Sequence, residues 1–182
     1  SCGETTVKRT NYTDVWQTLE QKAQQTLDDF LRTSQFGEFT AVQQVLQALP
    51  EPSCLQLANS MPVRYANYIG LAGRNIVVNA NRGTSGIDGV ISTAVGAALT
   101  TDQIMTVITG DLAFFYDRNA LWHNHLPPNL RIVILNNQGG GIFKLIDGPN
   151  NLPSDTLTEF FETPHQLSAQ NTAADYGCDY VF

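Results

Sequence analysis

Gly110-Asp111 closes the apolar run IMTVIT, and Asn136-Asn137 closes the next apolar run, RIVILN, about 26 residues later. An acidic residue and an amide at the carboxyl ends of two successive parallel strands face one crevice, the place where open α/β sheets bind their ligands. The chemistry offered there is a hard-oxygen cation site. Asp111 supplies an anionic ligand, Asn137 its side-chain oxygen and Gly139 a backbone carbonyl, a set that suits Mg²⁺ with phosphate oxygens and water completing the shell. Mn²⁺ accepts the same ligands. Gly139, Gly140 and Gly141 follow directly, and glycines let a backbone turn sharply and come close to a phosphate. A helix starting near Ile142 would aim its amide dipoles at the same anion. Together these residues predict a site for a metal-bound diphosphate.

Other chemistry-bearing residues fall at the same predicted edge. NRGTSGIDG (81–89) follows the strand-like IVVN, and its Gly83, Gly86 and Gly89 allow a tight loop that opens a helix. Arg82 lies within this loop, and Arg64 lies in NSMPVR (59–64), after the strand-like CLQLAN. Arginine is always charged and grips a carboxylate through two N–H groups, so the pair suits an acidic ligand. His123 and His125 flank Asn124 ahead of Pro127-Pro128, a setting for surface or packing histidines rather than metal ligands, and His165 stands alone.

The elements that position these residues follow from periodicity. A helix is expected from Thr13 to about Thr33, where Trp16, Leu19, Ala23, Leu27, Phe30 and Leu31 form one stripe and Thr13 is the N-cap. A second helix covers about 38–48, stopped by Pro50 and Pro52. Then come the strand CLQLAN, a helix from Ser60 to about Tyr68, the strand IVVN (76–79), the glycine loop, a helix over 89–99, and the strands IMTVIT and RIVILN. Strands alternating with helices, and near-continuous Ile/Val runs, predict a three-layer α/β/α sandwich with a parallel sheet and right-handed crossovers. The last third predicts short helices near 156–162 and 168–176 and a final strand, CDYVF. A strand that ends at the last residue, with no helix closing over it, implies that the domain of residues 13–182 is cut short, and residues 1–12 read as a tail or linker from a preceding domain.

Composition bounds the function classes. The 182 residues are 42% hydrophobic and only 15% charged, enough to bury a substantial core. A net charge of -7 without a basic cluster gives no electrostatic support for binding nucleic acid or an anionic membrane. Cys2, Cys54 and Cys178 are odd in number, far apart and not at metal-ligand spacing, and no membrane-length apolar run occurs. The expectation is a soluble, cytoplasmic protein.

The Gly-Asp-X pattern followed about 26 residues later by Asn-Asn resembles the signature of the thiamine-diphosphate (ThDP) enzyme family, with Leu112 at the third position where many members have glycine. The strings GDLAFFYDRNAL (110–121), LNNQGGGIF (135–143) and NRGTSGIDG resemble one branch, the 2-succinyl-5-enolpyruvyl-6-hydroxy-3-cyclohexene-1-carboxylate synthases of menaquinone biosynthesis, over roughly residues 55–150. The resemblance implies a ThDP-dependent transferase, a carboligase that decarboxylates 2-oxoglutarate and adds the remaining four-carbon unit to isochorismate. It implies ThDP contacts from Ser85, Gly86, Ile87, Gly110, Asp111, Leu112, Ala113, Asn137, Gly140, Ile142 and Phe143, and metal ligation by Asp111, Asn137 and the Gly139 carbonyl. Ile87 would wedge beneath the bent cofactor, a proximity effect. Ile142 and Phe143 would form a low-dielectric wall that favours charge loss as CO₂ leaves. Arg64, Arg82 and Ser60 would contact substrate.

In that family a glutamate from a separate pyrimidine-binding domain, usually of a neighbouring subunit, activates the cofactor. None of Glu4, Glu20, Glu38, Glu51, Glu159 and Glu162 lies in a matching motif, so no catalytic residue is expected in this chain and it is expected to be inactive alone. A shared site implies at least a homodimer, and a homodimer or homotetramer is expected. Two other readings stay open. A different ThDP-dependent 2-oxo acid decarboxylase or an acetolactate-type synthase would not call for Arg64 and Arg82. A non-catalytic Rossmann-type nucleotide-binding module would carry a Gly-X-Gly-X-X-Gly turn after the first strand, which is absent.

Overall fold

The computed structural model describes residues 11–182, so Cys2, Glu4 and most of the expected 1–12 tail lie outside the described residues. The chain divides into two compact units, Ser1–Thr40 and Ala41–Phe182. In the first, α1 (Asn11–Thr33) is already helical at Asn11, so Thr13 lies inside the helix rather than capping it. Asp14 in its first turn and Arg32 in its last complement the helix dipole. None of its residues is buried, and Trp16 and Leu19 of the apolar stripe are exposed.

The second unit is built on four parallel strands, β1 (Ser53–Leu57), β2 (Ile76–Ala80), β3 (Met105–Gly110) and β4 (Leu130–Leu135), in the order β2-β1-β3-β4. Leu57 registers with Ala80 on one side and Ile108 on the other, and Gly110 registers with Leu135, so all four carboxyl ends open on one edge. From β1 the chain passes to β2 on one side, and from β3 it passes to β4 on the other. The crevice of a doubly wound sheet therefore lies between β1 and β3.

Helices cover both faces because strand side chains alternate. Leu55, Leu57, Ile108 and Leu135 point to one face, where they pack with Val42 and Leu46 of α2 (Glu38–Ala48) and Ala66 of α3 (Met61–Ile69). Met105 and Val107 point to the other face, against Ile91, Ala94, Val95 and Ala98 of α4 (Val90–Ala98) and Phe114 of α5 (Asp111–Asp117). These are the three layers expected. Gly89, at φ 77, makes the left-handed turn that opens α4, and the Asp117 carboxylate accepts from the Ser92 N–H at 2.7 Å and from its hydroxyl at 2.5 Å.

The C-terminal third differs from expectation. The helix anticipated at Ile142 is one 3₁₀ turn, Gly141–Lys144, and the helix near 156–162 is α6 (Ser154–Leu157) running into a π-turn, Thr158–Glu162. After α7 (Gln170–Asp175), residues 178–182 form no strand. The Cys178 N–H is spent on the Ala173 carbonyl at 2.8 Å, closing the helix rather than joining the sheet, and Val181 and Phe182 are exposed. β-branched and aromatic residues make a strand only where a neighbour pairs with them. No helix among the described residues is long and apolar enough to cross a membrane.

Candidate functional site

Asp111 begins α5 directly after β3 and is 2% exposed. Its Oδ1 accepts from the Leu112 N–H at 2.7 Å, and its Oδ2 accepts from the Gly139 N–H at 3.0 Å. The same Gly139 N–H also reaches the Oδ1 of Asn137 at 3.2 Å. A carboxylate and an amide from separate strand ends thus converge on one backbone atom. Asn137 is exposed to solvent, whereas Asp111 is buried beneath it. Gln138, at φ 65, is left-handed, and this turn carries the chain from Asn137 into the glycines.

The glycines are required by protein packing. A Cβ on Gly139 would sit 2.8 Å from the Glu162 carbonyl oxygen, and one on Gly140 would sit 2.9 Å from the Phe161 carbonyl oxygen. Residues 161–165 form a strap across the loop. Gly140 N–H donates to the Glu162 carbonyl at 2.7 Å, His165 N–H donates to the Gln138 carbonyl at 3.2 Å, and Phe143 meets Phe161 edge-on at 5.5 Å. With the Gly141 N–H on the Gly139 carbonyl as well, the three glycine amides are engaged within the protein. A single 3₁₀ turn also gathers few aligned peptide dipoles. The glycine loop itself therefore offers an anion few free donors. A cleft of about 690 Å³ lies over this loop, bordered by Asn137, Gly140, Lys144, Glu162 and His165.

Glu162 is buried and paired with Lys144 at 2.7 Å, and the Thr158 hydroxyl donates to its other oxygen at 3.0 Å. The Lys144 ammonium holds the Glu162 carboxyl below its ordinary value, burial opposes that shift, and the Thr158 hydroxyl adds to it. His165, which the sequence left without a role, places its Nε2 3.1 Å from Asp111 Oδ2.

A second hydrogen-bonded group sits at the ends of β1 and β2. Asn59, 5% exposed, donates through Nδ2 to the Asn81 carbonyl at 3.0 Å and the Gly86 carbonyl at 2.6 Å, and its Oδ1 accepts from Arg82 at 3.1 Å. Buried Gln56 donates to the Asn81 Oδ1 at 2.8 Å, and Ser85 donates to the Arg82 carbonyl at 2.9 Å. Arg64 donates to the backbone carbonyl of Ser60 at 2.8 Å, and Ser60 itself is held at φ 72. Such backbone strain in a non-glycine residue costs on the order of 1–3 kcal/mol and gathers at functional sites. Ile87 packs on the α4 core cluster, Ala113 is buried in it, and Gly110, Leu112, Ile142 and Phe143 are half-buried. The expected residues are thus brought to one edge in two groups, one on β3 and β4 and one on β1 and β2. Gln56, Asn59 and Asn81 join them unannounced, since short polar residues near strand ends carry no periodic signal.

Histidines 123 and 125 lie apart, with rings 6.1 Å from each other and the His123 Nδ1 occupied by the His125 N–H. Among the described residues no three His, Cys, Asp or Glu side chains gather as a metal site. The carboxylate, amide and carbonyl oxygens at Asp111, Asn137 and Gly139 are nonetheless the donor set a hard divalent cation takes, and they fit it.

No protein-family model matches the chain. It is 63% identical over 146 residues to the 2-succinyl-5-enolpyruvyl-6-hydroxy-3-cyclohexene-1-carboxylate synthase of Cytophaga hutchinsonii, covering 80% of this chain and 26% of that protein. It is 43% identical over 162 residues to the protein of that name from Christiangramia forsetii, covering 89% and 28%, and 45% identical over 155 residues to that from Desulfotalea psychrophila, covering 85% and 28%. The chain spans about a quarter of the length of the curated relatives it matches. Over that span the chain is homologous to proteins that share one name, 2-succinyl-5-enolpyruvyl-6-hydroxy-3-cyclohexene-1-carboxylate synthase.

Proposed function

We propose that this chain forms the part of a ThDP- and Mg²⁺-dependent carboligase that holds the cofactor's diphosphate and orients two acidic substrates, 2-oxoglutarate and isochorismate. The observation that supports this reading is the meeting of the Asp111 carboxylate and the Asn137 amide, from two strand ends, over the Gly139 N–H at the carboxyl edge of the sheet. Asp111, Asn137 and the Gly139 carbonyl hold the cation, with Mn²⁺ as an alternative to Mg²⁺. Bound ThDP supplies the carbon that takes up the 2-oxo acid and the electron sink that accepts the pair released with CO₂. Ser85, Gly86 and Ile87 support the cofactor from the β2 side, and Gly110, Leu112, Ala113, Gly140, Ile142 and Phe143 enclose it from β3 and β4.

Arg82 and Arg64 orient substrate carboxylates, and Ser60 donates its hydroxyl. The product named for the relatives carries succinyl, enolpyruvyl and ring carboxylates, which suits guanidinium groups in an otherwise acidic chain. The Asn59 contact aims Arg82 before substrate arrives. The activating glutamate and the pyrimidine-binding domain come from outside these residues, through a homo-oligomer of at least two subunits in the cytoplasm. In the full-length protein, Asp111→Ala is expected to weaken Mg²⁺-dependent ThDP binding at least tenfold by calorimetry, and unchanged binding would refute the site. Turnover of 2-oxoglutarate well above pyruvate is expected of the same protein.

A further inference from the structure

The geometry points to His165 as a positioning residue that makes Asp111 a one-oxygen ligand and so sets the site's preference for Mg²⁺ over Ca²⁺. This inference rests on the cation site proposed above. Among the described residues, His165 is the side chain in hydrogen-bonding contact with the Asp111 carboxylate. Its ring is fixed from several directions. The Leu167 N–H donates to Nδ1 at 3.0 Å, which leaves Nε2 as the protonated nitrogen facing Asp111 Oδ2 at 3.1 Å. Phe115 packs edge-on at 5.3 Å, and the backbone N–H of His165 is tied to Gln138. The side chain is only 12% exposed.

The consequence lies in counting lone pairs. Oδ2 accepts from both Gly139 N–H and His165 Nε2–H, which fills its two acceptor positions, while Oδ1 accepts from Leu112 N–H alone. One oxygen of Asp111 therefore remains open to a cation. Mg²⁺ demands near-octahedral ligation, whereas Ca²⁺ takes bidentate carboxylates readily, so closing one oxygen favours the smaller ion. Groups that orient a ligand from behind typically change metal affinity by about 10–100-fold when removed.

The test measures ThDP affinity of the full-length protein by calorimetry, with Mg²⁺ and separately with Ca²⁺. His165→Phe keeps a ring against Phe115 but removes the donor. It is expected to weaken Mg²⁺-supported binding about tenfold and Ca²⁺-supported binding less than about threefold. His165→Gln, whose amide reaches the Nε2 position, is expected to restore the Mg²⁺ preference, and His165→Asn, a bond too short, is not; this pair carries the test if His165→Phe does not fold. Equal losses with both ions, no loss with either, or a Gln variant no better than the Asn variant would overturn the inference. Asp111→Ala separates the two levels. If it abolishes binding while His165→Phe changes nothing, the positioning role alone fails; if Asp111→Ala binds normally, the cation site fails and the inference with it.

Discussion

Removing the Asn59 side chain tests whether the β1–β2 group holds the 81–89 loop in place. Asn59→Ala deletes two hydrogen bonds to the carbonyls of Asn81 and Gly86 and one from Arg82. Intramolecular hydrogen bonds contribute about 0.5–1.5 kcal/mol net each, and the exposed Arg82 term belongs at the low end, so the expected loss is about 2–3 kcal/mol. Asn59→Asp sharpens the test. It keeps the size and strengthens the Arg82 contact, but it turns a carboxylate oxygen toward two carbonyls. Since an exposed ion pair contributes at most about 1 kcal/mol, the Asp variant should be no more stable than the Ala variant. The assay is urea unfolding of the chain in a Trp16→Phe background. The chain has two tryptophans, so Trp122 alone then reports on the second unit. With a slope of about 2 kcal/mol/M, the midpoint should fall by about 1–1.5 M. A shift smaller than about 0.25 M for Asn59→Ala, or an Asp variant more stable than the Ala variant, would refute the assignment.

Gly139→Ala should push the strap away, because the added Cβ would lie 2.8 Å from the Glu162 carbonyl; the cost is about 1–3 kcal/mol, and amide exchange at Gly140 and His165 should rise while that of β3 stays unchanged. The Lys144–Glu162 pair should act on the acid side. Its carboxyl is depressed below the ordinary 4.5 in the folded state, so its stabilisation is complete at neutral pH and lost as pH falls through the depressed value. Lys144→Met should therefore lower the unfolding midpoint at pH 7, with the gap to the parent closing as the solution is acidified below the ordinary carboxylate range; a constant gap would assign the difference to something other than this pair.

The four strands were legible because each is a short Ile/Val/Leu-rich run bounded by turn residues, and Asp111 and Asn137 were legible because they close two such runs. The order β2-β1-β3-β4 was not, since periodicity marks a strand without marking its neighbour. The glycines after Asn137 suggest room for a phosphate, and the fold adds a second approach that they permit, that of the 161–162 backbone. Nothing local in the sequence announces that approach. CDYVF shows the opposite failure, strong strand propensity in a segment whose first N–H, that of Cys178, bonds back to Ala173. His165 was missed because its partner lies 54 residues earlier, and a lone histidine carries no pattern.

That separation has a consequence for how the protein is made. The four described strands have all been made by Leu135, but the contacts that steady Asp111 and close the glycine loop come from residues 161–167. Translation runs from the amino end and distant contacts must wait for the residues that make them. On the ribosome, the nascent sheet would emerge with its Asp111 carboxylate still lacking the His165 donor. The hydrogen-bonded setting of Asp111 is thus a late acquisition of synthesis, fixed only once the strap has left the exit tunnel and settled.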